Sequence, residues 1–472
     1  MIGMLIAITI SIWQIGRNGI KENENPDTPT RKEVNHFSPE NVNPGSEAKY
    51  EITLDMDQKN IFKARSTTYI KNISVDKWSK LVFYFIPNMF TKENSPQLKN
   101  PSTVKMESIK LNGKTATFTL EKDTISVLLK EALLPNSTIK VEIQYAFTLP
   151  KEGLRFNKNE KNYFLAQWYP MVATYRDHKW NKEEYRFKGE TYHTSYSRFK
   201  IKYKLNNDLS LISSSDNETL PVKREGILYG ENIKEFFIAL LEHPNVIEKK
   251  VDETTIRVFG VDESANLHKE ISEVASKAFV YFQDIIGPYP YKQLDIVLDE
   301  MGMEYPGIVT AHSIYNGRPL NSEALKRIIV HEIAHQWFYG MISNDPFNDA
   351  WLDEGLAEFS KELFYANVKK KEIHVNDYQK GLLKELPLPV NLPLDQYGAT
   401  AQSSYIYGKS VIFLTKIFQD HGGRKKAEAF LKAYYDHYRY KEVNTKEFSR
   451  FLTYFLHLKN TAYYKDWLSV DE

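Results

Sequence analysis

The chain has 472 residues, of which 42% are hydrophobic and 13% aromatic, which is enough for the apolar cores of two or three domains. Lys plus Arg number 62 and Asp plus Glu number 61. The formal net charge of +1 gives no general electrostatic surface for nucleic acid, and we expect no nucleic-acid partner. The absence of cysteine excludes disulfides, thiol catalysis and cysteine-ligated metal.

The N-terminal segment, residues 1–16, carries no charged side chain and is rich in Ile, Leu and Met. It is compatible with a membrane, but it is shorter than the roughly 20 residues of a spanning helix and no basic residues precede it. Residues 17–45 are rich in Asn, Pro, Glu, Lys and Thr, which predicts a disordered linker. Two interpretations stay open: membrane anchoring or export, and a soluble cytoplasmic chain with an incidental apolar terminus.

Residues 46–246 show a hydrophobic period of two. Tyr50, Ile52 and Leu54 alternate with polar residues, and the same alternation recurs in residues 139–145 and 199–205. A continuous apolar run from Leu81 to Ile86 is typical of a strand covered on both faces. This part of the chain predicts a β-rich N-terminal domain of antiparallel strands, arranged like a β-sandwich.

Residues 247–472 have a mostly helical pattern, with one strand-like run at residues 294–298. A first helix is indicated by apolar residues at helical spacing: Leu267, Ile271, Val274, Ala278 and Phe282. We expect a short helical tail around residues 448–468. The prediction is therefore an α+β multidomain protein, with a catalytic domain over residues 247–472.

A metal-binding pattern lies in this second part, His331-Glu332-Ile333-Ala334-His335, and Glu354 follows after eighteen intervening residues. Histidines at i and i+4 stand on one helix face, so both imidazoles can bind one Zn²⁺ at about 2.0–2.1 Å. Glu354 is the predicted third ligand. Glu332 lies one residue round the helix, where its carboxylate can take a proton from the attacking water.

The limits of this helix are indicated by residues on both sides of it. Asn321 or Ser322 can cap its N terminus, and Gly340 can end it after Tyr339. Glu358 lies one turn after Glu354, which indicates either a hydrogen bond to a ligand histidine or a solvated carboxylate.

Two further segments resemble motifs of the aminopeptidase N family of zinc gluzincins, peptidase family M1. Residues 301–306 resemble the Gly-x-Met-Glu-Asn segment, in which the glutamate binds the free amino group of the substrate; Glu304 matches it. Met301 and Tyr305 depart from the usual glycine and asparagine. Residues 405–410 resemble the Tyr-x-Lys-Gly segment, whose tyrosine donates to the oxyanion. Tyr407 matches it, but Tyr405 lies two residues away, so a shifted alignment would exchange the two.

The resemblance implies a thermolysin-like catalytic domain, one zinc ion, peptide substrates and aminopeptidase activity. It also relates Gln167 to a residue by which the first domain of the family reaches into the amine pocket. Two alternatives stay open. One is a zinc endopeptidase of thermolysin type, in which Glu304 is a structural carboxylate. The other is a non-catalytic binding module on the same fold.

Overall fold

The computed structural model describes residues 37–159, 162–187, 189–206, 208–216, 220, 223–260, 265–298, 302–311, 321–398 and 400–469. The predicted apolar segment, residues 1–16, and residues 17–36 of the predicted linker lie outside these ranges. The chain from Pro39 onward forms one compact unit. Within the described ranges, no helix combines the length and the apolar character that crossing a membrane requires.

The first part of this unit is built from strands. They are β1 (Ser46–Met56), β2 (Phe62–Asn72), β3 (Trp78–Tyr84), β4 (Val104–Leu111), β5 (Lys114–Thr115), β6 (Phe118–Glu121), β7 (Thr124–Leu133), β8 (Thr138–Phe147), β9 (Phe156–Asn159), β10 (Asn162–Leu165), β11 (Met171–Val172), β12 (Thr174–Arg176), β13 (Lys179–Asn181), β14 (Ser197–Lys204), β15 (Ser210–Ser213), β16 (Glu225–Ile233) and β17 (Ile238–Leu241). A 3-10 turn over Ile86–Phe90 follows β3.

These strands form a sandwich, as the alternating pattern predicted. One sheet has the order β16–β14–β1–β2–β8–β4–β5, and others have the orders β11–β3–β7–β6 and β15–β17–β10–β9. Their buried side chains share one hydrophobic core, to which β1 contributes Tyr50 and β3 contributes Leu81. One pair departs from the antiparallel prediction, because β1 pairs in parallel with β14. Hydrophobic alternation shows which face a residue occupies and carries no information on strand direction.

The second part is mostly helical and begins with a sheet of order β18–β19–β20–β21. Its elements are β18 (Asn245–Val251), β19 (Thr254–Gly260), α1 (Ala265–Ile285), β20 (Gln293–Leu298), β21 (Ile308–Thr310), α2 (Ser322–Ala334), β22 (Ile342–Ser343), α3 (Trp351–Val368), α4 (Asp377–Glu385), α5 (Ser410–Asp420), α6 (Gly423–Tyr438), β23 (Lys441–Glu442) and α7 (Thr445–Leu456). Short 3-10 turns cover Leu394–Gln396 and Thr461–Tyr464, and a π-helical turn covers Ser404–Lys409.

The structure differs from the predicted domain limits at two places. The predicted boundary at residues 246/247 falls inside strand β18. Residues 40–42, in the predicted linker, bond to the end of the chain: Glu40 N donates to Glu447 Oε1 at 2.9 Å and Val42 N donates to Glu442 O at 3.0 Å. The end of the predicted linker is thus fixed against the helical part.

Helix α2 begins where the sequence predicted and ends earlier. The Asn321 side chain accepts a hydrogen bond from Ala324 N at 2.8 Å, which confirms the cap. The predicted end after Tyr339 is wrong, since the helix ends at Ala334. Tyr339 has φ of 115°, which a right-handed helix cannot contain, and its N–H donates to Ile342 O at 2.9 Å. The chain after His335 therefore runs in turns toward β22.

Replacing the cap should destabilise the chain by a small, measurable amount. Asn321→Ala leaves an orphaned N–H at the start of α2, and we expect a loss of about 1 kcal/mol in the free energy of unfolding. Chemical denaturation followed by circular dichroism measures it. Asn321→Asp keeps an acceptor and is the matched control. Equal stability of the Ala and Asp variants would contradict the role of the cap.

Candidate metal centre and active site

The three predicted metal ligands lie together. His331 and His335 come from successive turns at the end of α2, and Glu354 comes from the first turn of α3. His331 Nε2, His335 Nε2 and Glu354 Oε2 are each 3.1 Å from the other two atoms. No other cluster of three such side chains occurs among the described residues.

The orientation of both histidines fits a bound cation. His335 Nδ1 lies 2.9 Å from Phe338 O, and His331 Nδ1 lies 3.0 Å from Glu358 Oε2. Because both partners are acceptors, each neutral ring carries its hydrogen on Nδ1 and turns the lone pair of Nε2 toward Glu354. The lone pairs of both Nε2 atoms and the Glu354 carboxylate then face the same space, where a cation can bind. Ligands of a tetrahedral zinc ion stand about 3.3–3.4 Å apart, close to the separation of these atoms.

Glu358 faces the Nδ1 side of the His331 imidazole at ion-pair distance, 3.0 Å. The structure therefore favours the first of its two sequence interpretations. Burial raises the pKa of Glu358, but the His331 hydrogen bond and charge and Lys361 outweigh it and lower the pKa to about 2. Lys361 Nζ donates to Glu358 Oε1 at 2.5 Å, so the carboxylate is itself fixed.

Glu332 lies between the histidines in sequence and is 7% exposed. Burial raises the pKa of its carboxyl to about 7, although His331 and His335 oppose the shift. A carboxyl that titrates near neutral pH is suited to proton transfer. A Cβ at Gly302 would stand 2.5 Å from Glu332 Oε1. The backbone that leads to Glu304 therefore passes directly beside this carboxylate, and a larger residue at position 302 would displace the carboxylate from its present position.

Glu304 is held near α2 by one side chain from the turn that follows this helix. Gln336, which directly follows His335, donates from Nε2 to Tyr305 O at 3.1 Å and accepts from Gly307 N at 2.9 Å. Both ends of its amide thus fix the turn after Glu304. Sequence reasoning missed Gln336, although its position next to the second histidine was the available signal.

The Glu304 carboxylate is buried among like charges. Burial and then Glu190, Glu332 and Glu354 raise the pKa of Glu304 well above its usual value, and His335 opposes them. None of the described residues forms an ion pair with this carboxylate. An excess of negative charge in a poorly solvated pocket stabilises a bound cation. Glu190 was not predicted, because its place in this pocket comes from the fold of the first part of the chain.

Tyr407 and Tyr405, which the sequence could not separate, lie in different surroundings. The Tyr407 hydroxyl donates to Glu354 Oε1, and its ring centroid is 5.7 Å from that of His331. The Tyr405 ring stacks on Tyr397 at 4.9 Å. Both belong to the π-helical turn before α5, a geometry that often occurs at functional sites. The structure places Tyr407 beside the predicted metal ligands and Tyr405 against Tyr397.

Comparison with known proteins agrees with this geometry. The sequence model of the peptidase family M1 domain matches residues 271–467. Leukotriene A-4 hydrolase of Xenopus laevis is 24% identical over 400 residues, which cover 77% of this chain and 62% of that protein. Aminopeptidase B of Mus musculus is 26% identical over 217 residues, 40% of this chain and 32% of that protein. The chain thus spans less than two thirds of the length of these relatives.

Solved structures share the fold over a larger part of the chain. The M1 zinc metallopeptidase from Deinococcus radiodurans has a TM-score of 0.59 and 16% identity, covering 87% of this chain and 91% of its own. A mutant of that enzyme, solved with the substrate Tyr-Ser-Ala, also has a TM-score of 0.59 and covers 89% of this chain and 93% of its own. These structures share the fold of this chain, and its residues 271–467 are similar in sequence to the peptidase family M1 domain.

Removing the partner of His331 should weaken metal binding. Glu358→Gln removes the charge that orients the imidazole, and we expect the zinc affinity to fall about 10–100-fold. Competition with a chromogenic chelator measures it. Glu362→Gln is the matched control, because Glu362 lies one turn further along α3 and pairs with Arg327 instead of a ligand. Equal affinities for the two variants would show that Glu358 does not support the site.

Proposed function

We propose that this chain is a zinc-dependent aminopeptidase, which hydrolyses N-terminal residues from peptides. The placement of Glu304 supports this most directly, because its buried carboxylate lies close enough to Glu332, His335 and Glu354 for their charges to shift its pKa, and it forms no ion pair among the described residues. The protonated N terminus of a peptide is the cation that such a pocket would accept. The carboxylate would form a charge-assisted hydrogen bond with it.

The proposed chemistry assigns one task to each side chain. His331, His335 and Glu354 would hold zinc, which supplies a Lewis acid for the scissile carbonyl and lowers the pKa of the attacking water. Glu332 takes the proton from that water and later gives it to the leaving amine. Tyr407 donates a hydrogen bond to the oxygen that gains negative charge. Its hydroxyl must first leave Glu354 Oε1, its partner in this structure.

The names of the relatives support the same reaction class. Aminopeptidases occur among them, and the solved neighbours are zinc metallopeptidases, one of them bound to a tripeptide substrate. The surviving alternative is a zinc endopeptidase on the same fold. The two differ in their need for a free amine, because an endopeptidase has no use for a carboxylate that binds an N terminus.

The location of the protein in the cell is a separate proposal. We propose that residues 1–16 direct membrane anchoring or export, on the basis of their uncharged, apolar composition. Fractionation of cells that express the chain with and without residues 1–16 tests it. An unchanged cytoplasmic distribution of both forms would contradict it.

The two tyrosines of the π-helical turn should differ sharply in activity. Tyr407→Phe removes a donor to the developing oxyanion, and we expect kcat to fall about 10²–10³-fold with a smaller change in KM. Tyr405→Phe is the matched control and should keep most of the activity. Steady-state kinetics on aminoacyl fluorogenic substrates measures both. A large loss of kcat in Tyr405→Phe alone would exchange the two roles.

Glu304 should carry the preference for a free amine. Glu304→Ala leaves the substrate ammonium without its partner, which costs about 2–5 kcal/mol for substrates with a free N terminus and spares blocked ones. The measurement is kcat/KM for a free peptide and its N-acetylated form, in wild type and variant.

Glu332→Gln serves as the control for the chemistry, since both substrates should then lose at least about 10²-fold in turnover. Wild-type cleavage of the acetylated peptide at the same rate as the free one would overturn the aminopeptidase proposal and leave the endopeptidase. If the ratio of kcat/KM between the free and the N-acetylated peptide is the same in Glu304→Ala as in wild type, another residue recognises the amine.

A further inference from the structure

A fully buried carboxylate, Glu235, lies where two paired strands end. Strands β10 and β17 run antiparallel with Leu165 opposite Ile238, so Gln167, just after β10, and Glu235, just before β17, lie at the same end of the pair. Gln167 Nε2 donates to Glu235 Oε2 at 2.6 Å, and each residue is 1% exposed. The short distance is typical of a charge-assisted hydrogen bond.

The other oxygen of Glu235 is bound by two tyrosines. The Tyr192 hydroxyl lies 2.9 Å from Glu235 Oε1 and 3.1 Å from Glu190 Oε1, so its one hydrogen serves both carboxylates, and the Tyr339 hydroxyl donates to Glu235 Oε1. Tyr339 lies four residues after the ligand His335, so Glu235 joins the first part of the chain to the turn that ends the metal helix. The donors Gln167 and Tyr339, with the shared Tyr192, hold this carboxylate in place.

Two of the residues held by Glu235 have unusual backbones. Gln167 has φ of 48° and Tyr339 has φ of 115°. Both values lie in the left-handed region, which is unfavourable for side chains other than glycine and persists only where surrounding contacts enforce it. Such residues cluster at functional sites. Here two of them meet at a single carboxylate.

The amide of Gln167 has only one of its two ends satisfied. Its Oε1 is buried and has no hydrogen-bond partner among the described residues. The amide cannot turn round to correct this, because Oε1 would then face the Glu235 carboxylate and two acceptors would meet. An acceptor that is buried and unpaired is unfavourable, so a donor arriving with a ligand would be bound strongly.

This acceptor lies beside the segment that carries Glu304. Phe237, two residues after Glu235, stacks on Tyr305 with centroids 4.0 Å apart and the rings 2° from parallel. Ala166, which precedes Gln167, belongs to the same apolar cluster as Met303 and Tyr305. The residues on both sides of Glu304 are therefore packed against the neighbours of Gln167 and Glu235. The electrostatic influence of Glu235 and Glu304 on the Tyr305 hydroxyl shows the same proximity.

The family resemblance relates Gln167 to the amine pocket; beyond that, we propose that Glu235 is a positioning residue for recognition of the substrate N terminus, because it binds Gln167 Nε2 and so leaves Gln167 Oε1 as the end of the amide that accepts from the substrate ammonium. The inference rests on the proposed aminopeptidase function. Glu235 itself does not touch the substrate, since its own two oxygens are occupied. Because Glu235 also binds Tyr339, which follows the predicted ligand His335, it holds Gln167 Oε1 at a fixed position relative to the predicted metal ligands.

Exchanging the carboxylate for an amide separates this role from a structural one. Glu235→Gln places an NH₂ group against Gln167, which reverses the Gln167 amide and turns its NH₂ toward the ammonium. The reciprocal variant Gln167→Glu/Glu235→Gln keeps one carboxylate and one amide in the pair and restores an acceptor toward the substrate. A merely structural hydrogen bond would not distinguish ligands with an amine from ligands without one.

The experiment compares two zinc-binding inhibitors on the zinc-loaded full chain. Leucine hydroxamate carries an α-amine, and 4-methylpentanohydroxamate has the same side chain without it. The ratio of their inhibition constants reports amine recognition alone, because the metal-binding group is identical. Thermal unfolding of each variant is recorded in parallel. Tyr169→Phe is the matched control, since it removes the hydroxyl that accepts from Phe236 N at 3.2 Å, next to Glu235, and leaves Glu235 and Gln167 in place.

We expect Glu235→Gln to reduce the preference for the amine at least about tenfold, with little effect on the des-amino inhibitor. The reciprocal variant should recover the wild-type ratio, and Tyr169→Phe should lower the melting temperature with an unchanged ratio. Should Glu235→Gln not fold, Glu235→Asp keeps the charge and withdraws it from Gln167 by one methylene. It is expected to reduce the ratio in the same direction.

An unchanged ratio in the Glu235 variants, or an equal loss of affinity for both inhibitors, would overturn the inference and leave the aminopeptidase proposal intact. A wild-type enzyme that binds both inhibitors equally would instead overturn the proposed function. Failure of the reciprocal variant to recover the ratio would show that the pair does not act through the orientation of the Gln167 amide.

Discussion

Two imidazole nitrogens at the end of α2 and one carboxylate oxygen at the start of α3 lie 3.1 Å from one another, and this close approach constrains how the two helices and their neighbours pack. His331 and His335 are placed by the pitch of α2, but Glu354 reaches them only because α3 begins beside the end of α2. The start of α3 is fixed by Trp351, which is fully buried and packs edge-on against Trp467 and Phe448. The far end of the chain therefore supports the third metal ligand.

Helix α5, which follows the π-helical turn, must also lie close to the start of α3. A Cβ at Gly355 would stand 2.8 Å from the Cβ of Ser410, so α3 and α5 approach each other at the residue after Glu354. Close contact at this point lets the Tyr407 hydroxyl reach Glu354. The family motif has glycine where this chain has Ser410. Here Gly355 supplies the small residue on the opposite helix, and Ser410 Oγ bonds to Tyr405 O at 3.2 Å.

The sequence predicted most strongly what depends on local periodicity. The strands of the first part, the cap at Asn321 and the facing of His331 and His335 follow from spacings of two, three and four residues. The early end of α2 was not predictable in this way, since the backbone of Tyr339 is fixed by the distant Glu235. Glu190 and Glu235 come from the first part of the chain, and only the tertiary fold brings them to the site; Gln167, from the same part, was related to the amine pocket by the family resemblance alone. The separation of Tyr407 from Tyr405 needed the same information.

The π-helical turn at Ser404–Lys409 contains one residue more than an α-helix of the same length would. This extra residue changes the angle about the helix axis at which the residues before α5 are placed relative to α5. Each residue of an α-helix advances by about 100° around the axis. Loss of Gly408 or Lys409, which lie between Tyr407 and α5, would relax the turn to α-helix and rotate Tyr407 away from Glu354 by about that angle, with the buried face of α5 unchanged. A one-residue length change there alters function while conserving the fold, and sequence identity alone would barely register it.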